Sequence, residues 1–192
     1  MLNDRTTPLS LLRTRRSGRP RDMIAPGPSD AQLSAMLEIA ARTPDHGKLA
    51  PWRFVIVPAE ARDRLSAVIT TAYRAERPQA AATEIAALEA FARQAPALVV
   101  VLSQPKPESH IPSWEQELSA GAACMNLLHA AHAMGFVAGW VTGWACYSEA
   151  VRDAFAAAPA RIAGFVFIGA PGAALEERPR PALDTVVTTW GA

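Results

Sequence analysis

The sequence predicts one α+β or mixed α/β domain that spans residues 1–192. Two observations carry this prediction: about four short apolar segments have strand character, and at least five longer segments have helical periodicity. Half of the 192 residues are hydrophobic, which is enough to build a sizeable core. Because no internal repeat and no long linker interrupts the chain, we expect a single folding unit.

The predicted strands are short, rich in valine or aromatic residues, and bounded by proline or glycine. They cover Trp52–Val57, Ala97–Leu102, Phe136–Thr142 and Ile162–Gly169. Ala97–Leu102 is a continuous apolar run, which is typical of a strand that is buried on both faces.

The predicted helices are marked by their start and stop residues. Thr7 followed by Pro8 starts a short first helix that runs into Arg15, and Ser29 with Gln32 forms a capping-box pattern for the second. Three longer helices and one short helix complete the set. They are expected over Ala59–Arg74, over Pro78–Arg93, from Ser113 to Met134 before Gly135, and after Ser148.

Charge and cysteine content limit the class of protein. The chain has 19 basic and 18 acidic residues, so it lacks the positive charge of a dedicated nucleic-acid binder. Cys124 and Cys146 lie far apart in apolar surroundings, which favours free thiols in a reducing cytoplasm. We expect no signal peptide, and the Ala-rich stretch Leu118–Met134 contains Asn126 and two histidines, so a buried helix explains it better than a membrane span.

A run of five arginines lies at the end of the first helix and in the loop that follows it: Arg13, Arg15, Arg16, Arg19 and Arg21. Guanidinium groups repel one another unless an anion is present, and arginine offers a fork of donors that matches phosphate. Ser17 adds a hydroxyl within the run. The run is therefore either a solvated basic face or an oxyanion site that could hold a phosphate-bearing small molecule or a nucleic acid.

Two further segments are candidate binding elements. The loop Asp45-His46-Gly47-Lys48 could present His46 to a ligand, or it could be an ordinary turn in which Arg42 only complements the preceding helix dipole. The strand end Gly139-Trp140-Val141-Thr142-Gly143 could let a flat ligand approach the backbone, although Trp140 could equally be a core aromatic.

The sequence has no motif that supports a metal site, acyl transfer, P-loop nucleotide chemistry or a Rossmann dinucleotide site. His129 and His132 are spaced to share a metal, but no carboxylate or third histidine has matching helical spacing, so we expect no metal site. There is no G-x-S-x-G elbow, no G-x-x-x-x-G-K-[ST] loop and no G-x-G-x-x-G fingerprint.

Four motifs, taken in order, give the chain a resemblance to a known family. They are Arg15-Arg16-Ser17, the segment from Arg42-Thr43-Pro44-Asp45-His46 to Pro51-Trp52, Trp114-Glu115-Gln116-Glu117, and Gly139-Trp140-Val141-Thr142-Gly143. Their order and spacing resemble the nitroreductase family of FMN-dependent oxidoreductases, in particular its short YdjA-type members. The resemblance implies a nitroreductase-like fold, with a central mixed, mainly antiparallel sheet flanked by helices.

The resemblance also implies a homodimer with FMN in clefts at the subunit interface. By that likeness Arg15, Arg16, Ser17 and Arg19 hold the phosphate, the ribityl chain and the pyrimidine edge. The other residues that the resemblance assigns to the flavin site are Arg42, His46, Trp140, Val141, Thr142 and Arg180. Relatives often have a basic residue where this chain has Val141, so a backbone contact is expected there.

The implied activity is a ping-pong reaction in which NADH or NADPH reduces the flavin and a nitroaromatic, quinone or similar acceptor oxidises it. The flavin would carry the hydride, which fits the lack of an acid–base pair in the sequence. One alternative is a flavin-using dehalogenase or another specialised enzyme on the same scaffold. A second alternative, from a different class, is an anion- or nucleic-acid-binding module that uses the Arg13–Arg21 run.

Overall fold

The computed structural model describes residues 1–191 and contains one central sheet with helices on both faces. The strands are β1 (Met23–Ile24), β2 (Trp52–Ile56), β3 (Ala97–Ser103), β4 (Val137–Val141) and β5 (Arg161–Pro171). The helices are α1 (Pro8–Thr14), α2 (Asp30–Ala40), α3 (Arg62–Glu76), α4 (Ala82–Phe91), α5 (Ser113–Ala133), α6 (Trp144–Tyr147), α7 (Glu149–Asp153) and α8 (Leu183–Val186).

The sheet has the order β2-β3-β5-β4, and β1 extends it by pairing with the carboxyl end of β5. Every strand pair within residues 1–191 is antiparallel. The predicted mainly antiparallel sheet with flanking helices is therefore confirmed. The strand that the sequence did not predict is β1, which is only two residues long and lies in a loop rich in proline and glycine.

Alternation along the strands divides the core between the two faces of the sheet. Leu98, Val100 and Leu102 of β3 face one side, where α3, α4 and α6 pack, whereas Val99 and Val101 face α2 and α5. Both faces are covered, which is why β3 and β5 read as continuous apolar runs.

The predicted helix starts are mostly confirmed by hydrogen bonds. Thr7 accepts from the backbone N–H of Ser10. Ser29 and Gln32 form both bonds of the capping box. Ser148 does precede α7, but its hydroxyl donates to the Glu76 carboxylate at 3.2 Å instead of capping the helix.

His132 joins the end of α5 to the start of β4. The ring is fully buried, its Nδ1 donates to the Leu128 carbonyl at 2.6 Å, and its Nε2 accepts from the Ala138 N–H at 3.4 Å. Both ring nitrogens are thus used inside the protein. Burial lowers the pKa of His132 from its ordinary value of 6.5 to about 4.

This buried histidine predicts a loss of stability in mild acid. In the unfolded chain His132 is protonated as the pH falls below 6.5, whereas in the folded chain it is protonated only near pH 4. As the pH falls from 6.5 to 4, the free energy of unfolding should therefore decrease by about 3 kcal/mol. Denaturant unfolding in a pH series should show this slope in the wild type and a shallower one in His132→Gln, which keeps a donor and an acceptor. His110→Gln, at an exposed position, is the control. Equal slopes in the wild type and His132→Gln would contradict the assignment.

Candidate flavin site

The predicted anion site begins where α1 ends. After Thr14 the chain runs extended onto β4, where the Gly18 N–H donates to the Ala138 carbonyl at 3.2 Å. The approach is so close that a Cβ at Gly139 would lie 2.7 Å from the Gly18 carbonyl oxygen. The space beside Gly139, predicted as an approach for a flat ligand, is therefore filled by the chain's own backbone, which fixes the arginine segment on the sheet.

Asn3 holds this segment from the other side. Its side chain accepts from the Arg16 N–H at 2.7 Å and donates to the Arg16 carbonyl at 3.2 Å. Next to it, Arg15 Nη1 donates to Ser17 Oγ at 3.1 Å. The backbone of the segment is thus fixed by hydrogen bonds, and Arg15 and Ser17 present their donors side by side.

The C-terminal segment brings a further arginine to this cluster. Burial, then the nearby positive charges of Arg180 and Arg16, lower the pKa of Arg15. Arg16 Nε donates to the Glu176 carbonyl at 2.6 Å, and Arg19 pairs with the Glu176 carboxylate at 3.3 Å. We refer to Arg15, Arg16, Ser17, Arg19 and Arg180 as the arginine cluster.

A cleft of about 170 Å³ opens beside the cluster, with room for several water-sized groups. Residues 16–19 form one wall, and Pro171 with residues 173–176 forms another. Arg16, Ser17 and Arg19 line the cleft and bring two positive charges and a hydroxyl to it, so the cleft suits a phosphate group. Glu176 and Glu177 balance part of the charge, which makes this surface a poor match for the continuous backbone of a nucleic acid.

The predicted loop around His46 lies along α5. His46 begins a short 3₁₀ turn, and the backbone is left-handed at Gly47, Lys48 and Ala50, with φ values of 76°, 56° and 46°. Two of these three residues are not glycine, so the conformation costs energy that other contacts must offset. One such contact is the Ala50 N–H, which donates to the Asp45 carboxylate at 2.7 Å.

Three side chains of α5 hold this loop. His46 Nδ1 and Glu115 Oε2 are 2.8 Å apart, Ser119 Oγ donates to the Pro44 carbonyl at 2.6 Å, and Asn126 donates to Thr43 Oγ1 at 2.8 Å. Arg42 lies just after the end of α2 with its side chain exposed. The loop is therefore fixed to one helix, although its histidine remains largely solvent-exposed.

The third predicted segment, at the end of β4, places an aromatic ring at the surface. Trp140 is 38% exposed, and its indole Nε1 donates to the Ala163 carbonyl at 2.9 Å. The ring lies over Gly164, where a Cβ would overlap the indole Nε1. Trp140 is thus a fixed surface ring and not a core residue, whereas Val141 is half-buried and Thr142 is exposed.

One chain does not bring all of these residues together. The arginine segment lies at the end of α5, where Gly18 and His132 share hydrogen bonds with Ala138, whereas His46 lies at Glu115. Glu115 and His132 are 17 positions apart on α5, which is about 25 Å at 1.5 Å per helical residue. The structure therefore assembles the arginine cluster and keeps His46 at the far end of the same helix.

Several residues that shape these segments were not predicted from the sequence. Asn3, Glu176 and Ser119 act through contacts distant in sequence, which leave no local signal. Glu115 belongs to the Trp114-Glu115-Gln116-Glu117 motif, but its contact with His46 could not be predicted from the sequence. Because no role had been assigned to this motif, its presence was the one signal in the sequence that pointed to Glu115.

Comparison with known proteins identifies the group to which the chain belongs. A sequence model described as "Nitroreductase family" matches residues 12–170. The chain is 35% identical over 164 residues to the Escherichia coli K12 protein YdjA, provisionally named an NAD(P)H nitroreductase, and the match covers 85% of this chain and 87% of that protein.

Two solved structures share the fold. A nitroreductase-like family protein from Bacillus cereus superposes with a TM-score of 0.80 at 21% identity, over 100% of both chains. A provisionally named nitroreductase from Desulfovibrio desulfuricans, solved in complex with FMN, gives a TM-score of 0.73 at 21% identity, over 97% of this chain and 98% of that one. The predicted resemblance is confirmed, and the chain belongs to the nitroreductase family.

Proposed function

We propose that this protein is an FMN-dependent NAD(P)H oxidoreductase that reduces a nitroaromatic, a quinone or a similar electron-poor acceptor. Family membership gives the reaction class, and the names of the relatives indicate the donor and the cofactor. The observation that carries the proposal is the arginine cluster, of which Arg16, Ser17 and Arg19 line a small cleft, because the cluster provides the charge and the donors that an FMN phosphate requires.

Different residues of the arginine cluster would bind different parts of FMN. Arg15, Arg16 and Ser17 would hold the phosphate on a backbone that Asn3 and β4 fix in place, and Arg180 would add charge from the C-terminal segment. Arg19, at the outer side of the cluster, would face the ribityl chain or the pyrimidine edge. When bound, FMN would supply the hydride-accepting centre that NAD(P)H and the acceptor use in turn.

Two copies of the chain would complete each site. His46 and Arg42 lie away from the arginine cluster, so they would reach its FMN from the partner subunit, beside the surface formed by Trp140, Val141 and Thr142. An uncovered apolar surface supports a dimer: Leu12 and Ile39 are 58% and 40% exposed and line a groove of about 360 Å³ between α1, α2 and α5. Leu183, Val186 and Trp190 in the C-terminal segment are also exposed.

The two cysteines support a proposal about the cellular compartment. Cys124 and Cys146 are both free and buried, and burial raises the pKa of each thiol to about 12. Such thiols are unreactive and suit a reducing compartment, so we propose that the protein works in the cytoplasm. Within residues 1–191, none of the helices has the length and hydropathy needed to cross a membrane.

The visible spectrum and steady-state kinetics test this proposal. We expect the purified protein, loaded with FMN, to be yellow and to oxidise NADH or NADPH when a nitroaromatic or a quinone is present. Arg19→Ala should retain FMN less well than the wild type. A colourless protein that does not take up added FMN would refute the flavin assignment, and a flavoprotein that oxidises neither nicotinamide donor would refute the reductase assignment.

A further inference from the structure

A histidine–carboxylate pair links two motifs whose relation the sequence did not reveal. His46 Nδ1 lies 2.8 Å from Glu115 Oε2, although the two residues are 69 positions apart. Their side chains are 64% and 39% exposed in the single chain. Ion pairs at this level of exposure contribute little to stability, so stability alone gives no strong reason for the pairing.

The pair determines which ring atom of His46 can meet a ligand. An ionised carboxylate only accepts hydrogen bonds, so the hydrogen between the two groups is carried by Nδ1. The contact therefore fixes the ring orientation and places Nε2 on the side away from α5. Histidines that ligate metals are commonly oriented in the same way, by a carboxylate on the second ring nitrogen.

The backbone beneath His46 is fixed as well. Ser119 lies one turn after Glu115 on the same face of α5 and holds the Pro44 carbonyl. Asn126 holds Thr43 further along the helix, and the N–H of Ala50, the last of the three left-handed residues that follow His46, donates to the Asp45 carboxylate. Among these contacts, the one with Glu115 involves the imidazole ring itself.

We propose that Glu115 is a positioning residue, which holds His46 with Nδ1 protonated so that Nε2 makes a hydrogen bond to FMN in the partner subunit's arginine cluster. This inference rests on the proposed function, because it takes FMN to be the ligand. It assigns a role to the Trp114-Glu115-Gln116-Glu117 motif that the arginine cluster does not explain. It also predicts that Glu115 acts on FMN only through His46.

A double-mutant cycle tests this dependence. FMN dissociation constants should be measured for the wild type, His46→Ala, Glu115→Ala and the double variant. We expect each single substitution to weaken FMN binding by about tenfold, the usual effect of losing one hydrogen bond that includes a charged group, and the double variant to be no weaker than His46→Ala. Glu115→Gln, which can still accept from Nδ1–H, should recover much of the affinity.

Two measurements separate this role from a merely structural one. Nitrogen NMR of histidine-labelled protein should show His46 with Nδ1 protonated in the wild type and Glu115→Gln, and a changed proton distribution in Glu115→Ala. Glu117→Ala is the matched control, since Glu117 is on the same helix and faces Arg161 at 3.8 Å, so its FMN affinity should stay within about twofold of the wild type.

The possible failures are distinguishable. If the wild type binds no FMN, the proposed function fails and this inference fails with it. If the wild type binds FMN but Glu115→Ala has wild-type affinity, or if the His46 and Glu115 effects add in the double variant, the positioning role alone is overturned. A His46 ring protonated on Nε2 alone in the wild type would also overturn it.

Discussion

Gly139→Ala is expected to weaken FMN binding by about a hundredfold, although the substitution lies in a strand and removes no side chain. The new Cβ would be 2.7 Å from the Gly18 carbonyl oxygen, which is a backbone atom that cannot rotate away. The segment before Gly18 must therefore shift from β4, and Arg15, Arg16 and Ser17 shift with it. Misplacing two charge-assisted hydrogen bonds to a phosphate accounts for a loss of this size, about 3 kcal/mol.

To check this prediction, bound FMN is first removed, either directly or by unfolding and refolding the protein. The FMN-free protein is then titrated with FMN while flavin fluorescence is followed. Gly121→Ala in α5 is the control, because a Cβ there makes only an ordinary 3.8 Å contact with Trp140 and alanine favours the helix. We expect the control to bind FMN within about twofold of the wild type. Equal affinities for Gly139→Ala and the wild type would show that the arginine segment does not depend on its contact with β4.

Arg62→Ala is expected to lower the free energy of unfolding by about 3 to 4 kcal/mol. Arg62 is only 6% exposed, and its guanidinium donates to four backbone carbonyls. The acceptors are Val57 at 2.8 Å, Ala92 at 2.7 Å, Gln94 at 3.3 Å and Pro96 at 3.5 Å. The side chain thus ties the end of β2 to the segment between α4 and β3, and its removal leaves buried carbonyls without donors.

Urea unfolding measures this effect, with Arg64→Ala as the matched control. Arg64 is on the same helix but exposed, so its loss should change the unfolding free energy by no more than about 0.5 kcal/mol. Arg62→Lys should recover only part of the stability, because an ammonium group cannot reproduce the planar fork of a guanidinium. If Arg62→Ala and Arg64→Ala are equally stable, the carbonyl contacts carry no net stabilisation.

The sequence predicted those parts of the fold that have short-range causes. The capping box at Ser29 and Gln32 depends on residues three positions apart, and the strands β3 and β5 are continuous apolar runs because both sheet faces are covered. β1 could not be predicted, since its two residues are held by pairing with β5, almost 150 positions later. The prediction that Ser148 caps a helix was wrong for a similar reason. Its hydroxyl donates to Glu76, which is far away in sequence.

The candidate site divides in the same way. The repulsion among the arginines was visible in the sequence, because Arg15, Arg16 and Arg19 are neighbours. The position of these arginines against β4 could not be predicted, because it depends on Asn3, Gly139 and Glu176. Gly139 and Gly143, on either side of Trp140, were interpreted as points of close approach. The structure has such an approach at Gly139, where the approaching group is the chain's own Gly18 carbonyl, but a Cβ at Gly143 would meet nothing within 4 Å. The close approach of the Trp140 ring to Gly164 was not predicted.

We propose that each FMN site combines the arginine cluster of one subunit with His46 of the other. Mixing two defective variants, Arg15→Ala and His46→Ala, tests it directly. Each homodimer would have two damaged sites, whereas each mixed dimer would have one intact site and one doubly damaged site.

After unfolding and refolding an equimolar mixture, half of the dimers should be mixed, so roughly a quarter of all sites should bind FMN with wild-type affinity. The two variants refolded separately and then pooled provide the control and should show no such sites. If the co-refolded mixture also contains no wild-type sites although mixed dimers form, Arg15 and His46 do not serve one FMN across the interface, and the two-subunit site is wrong.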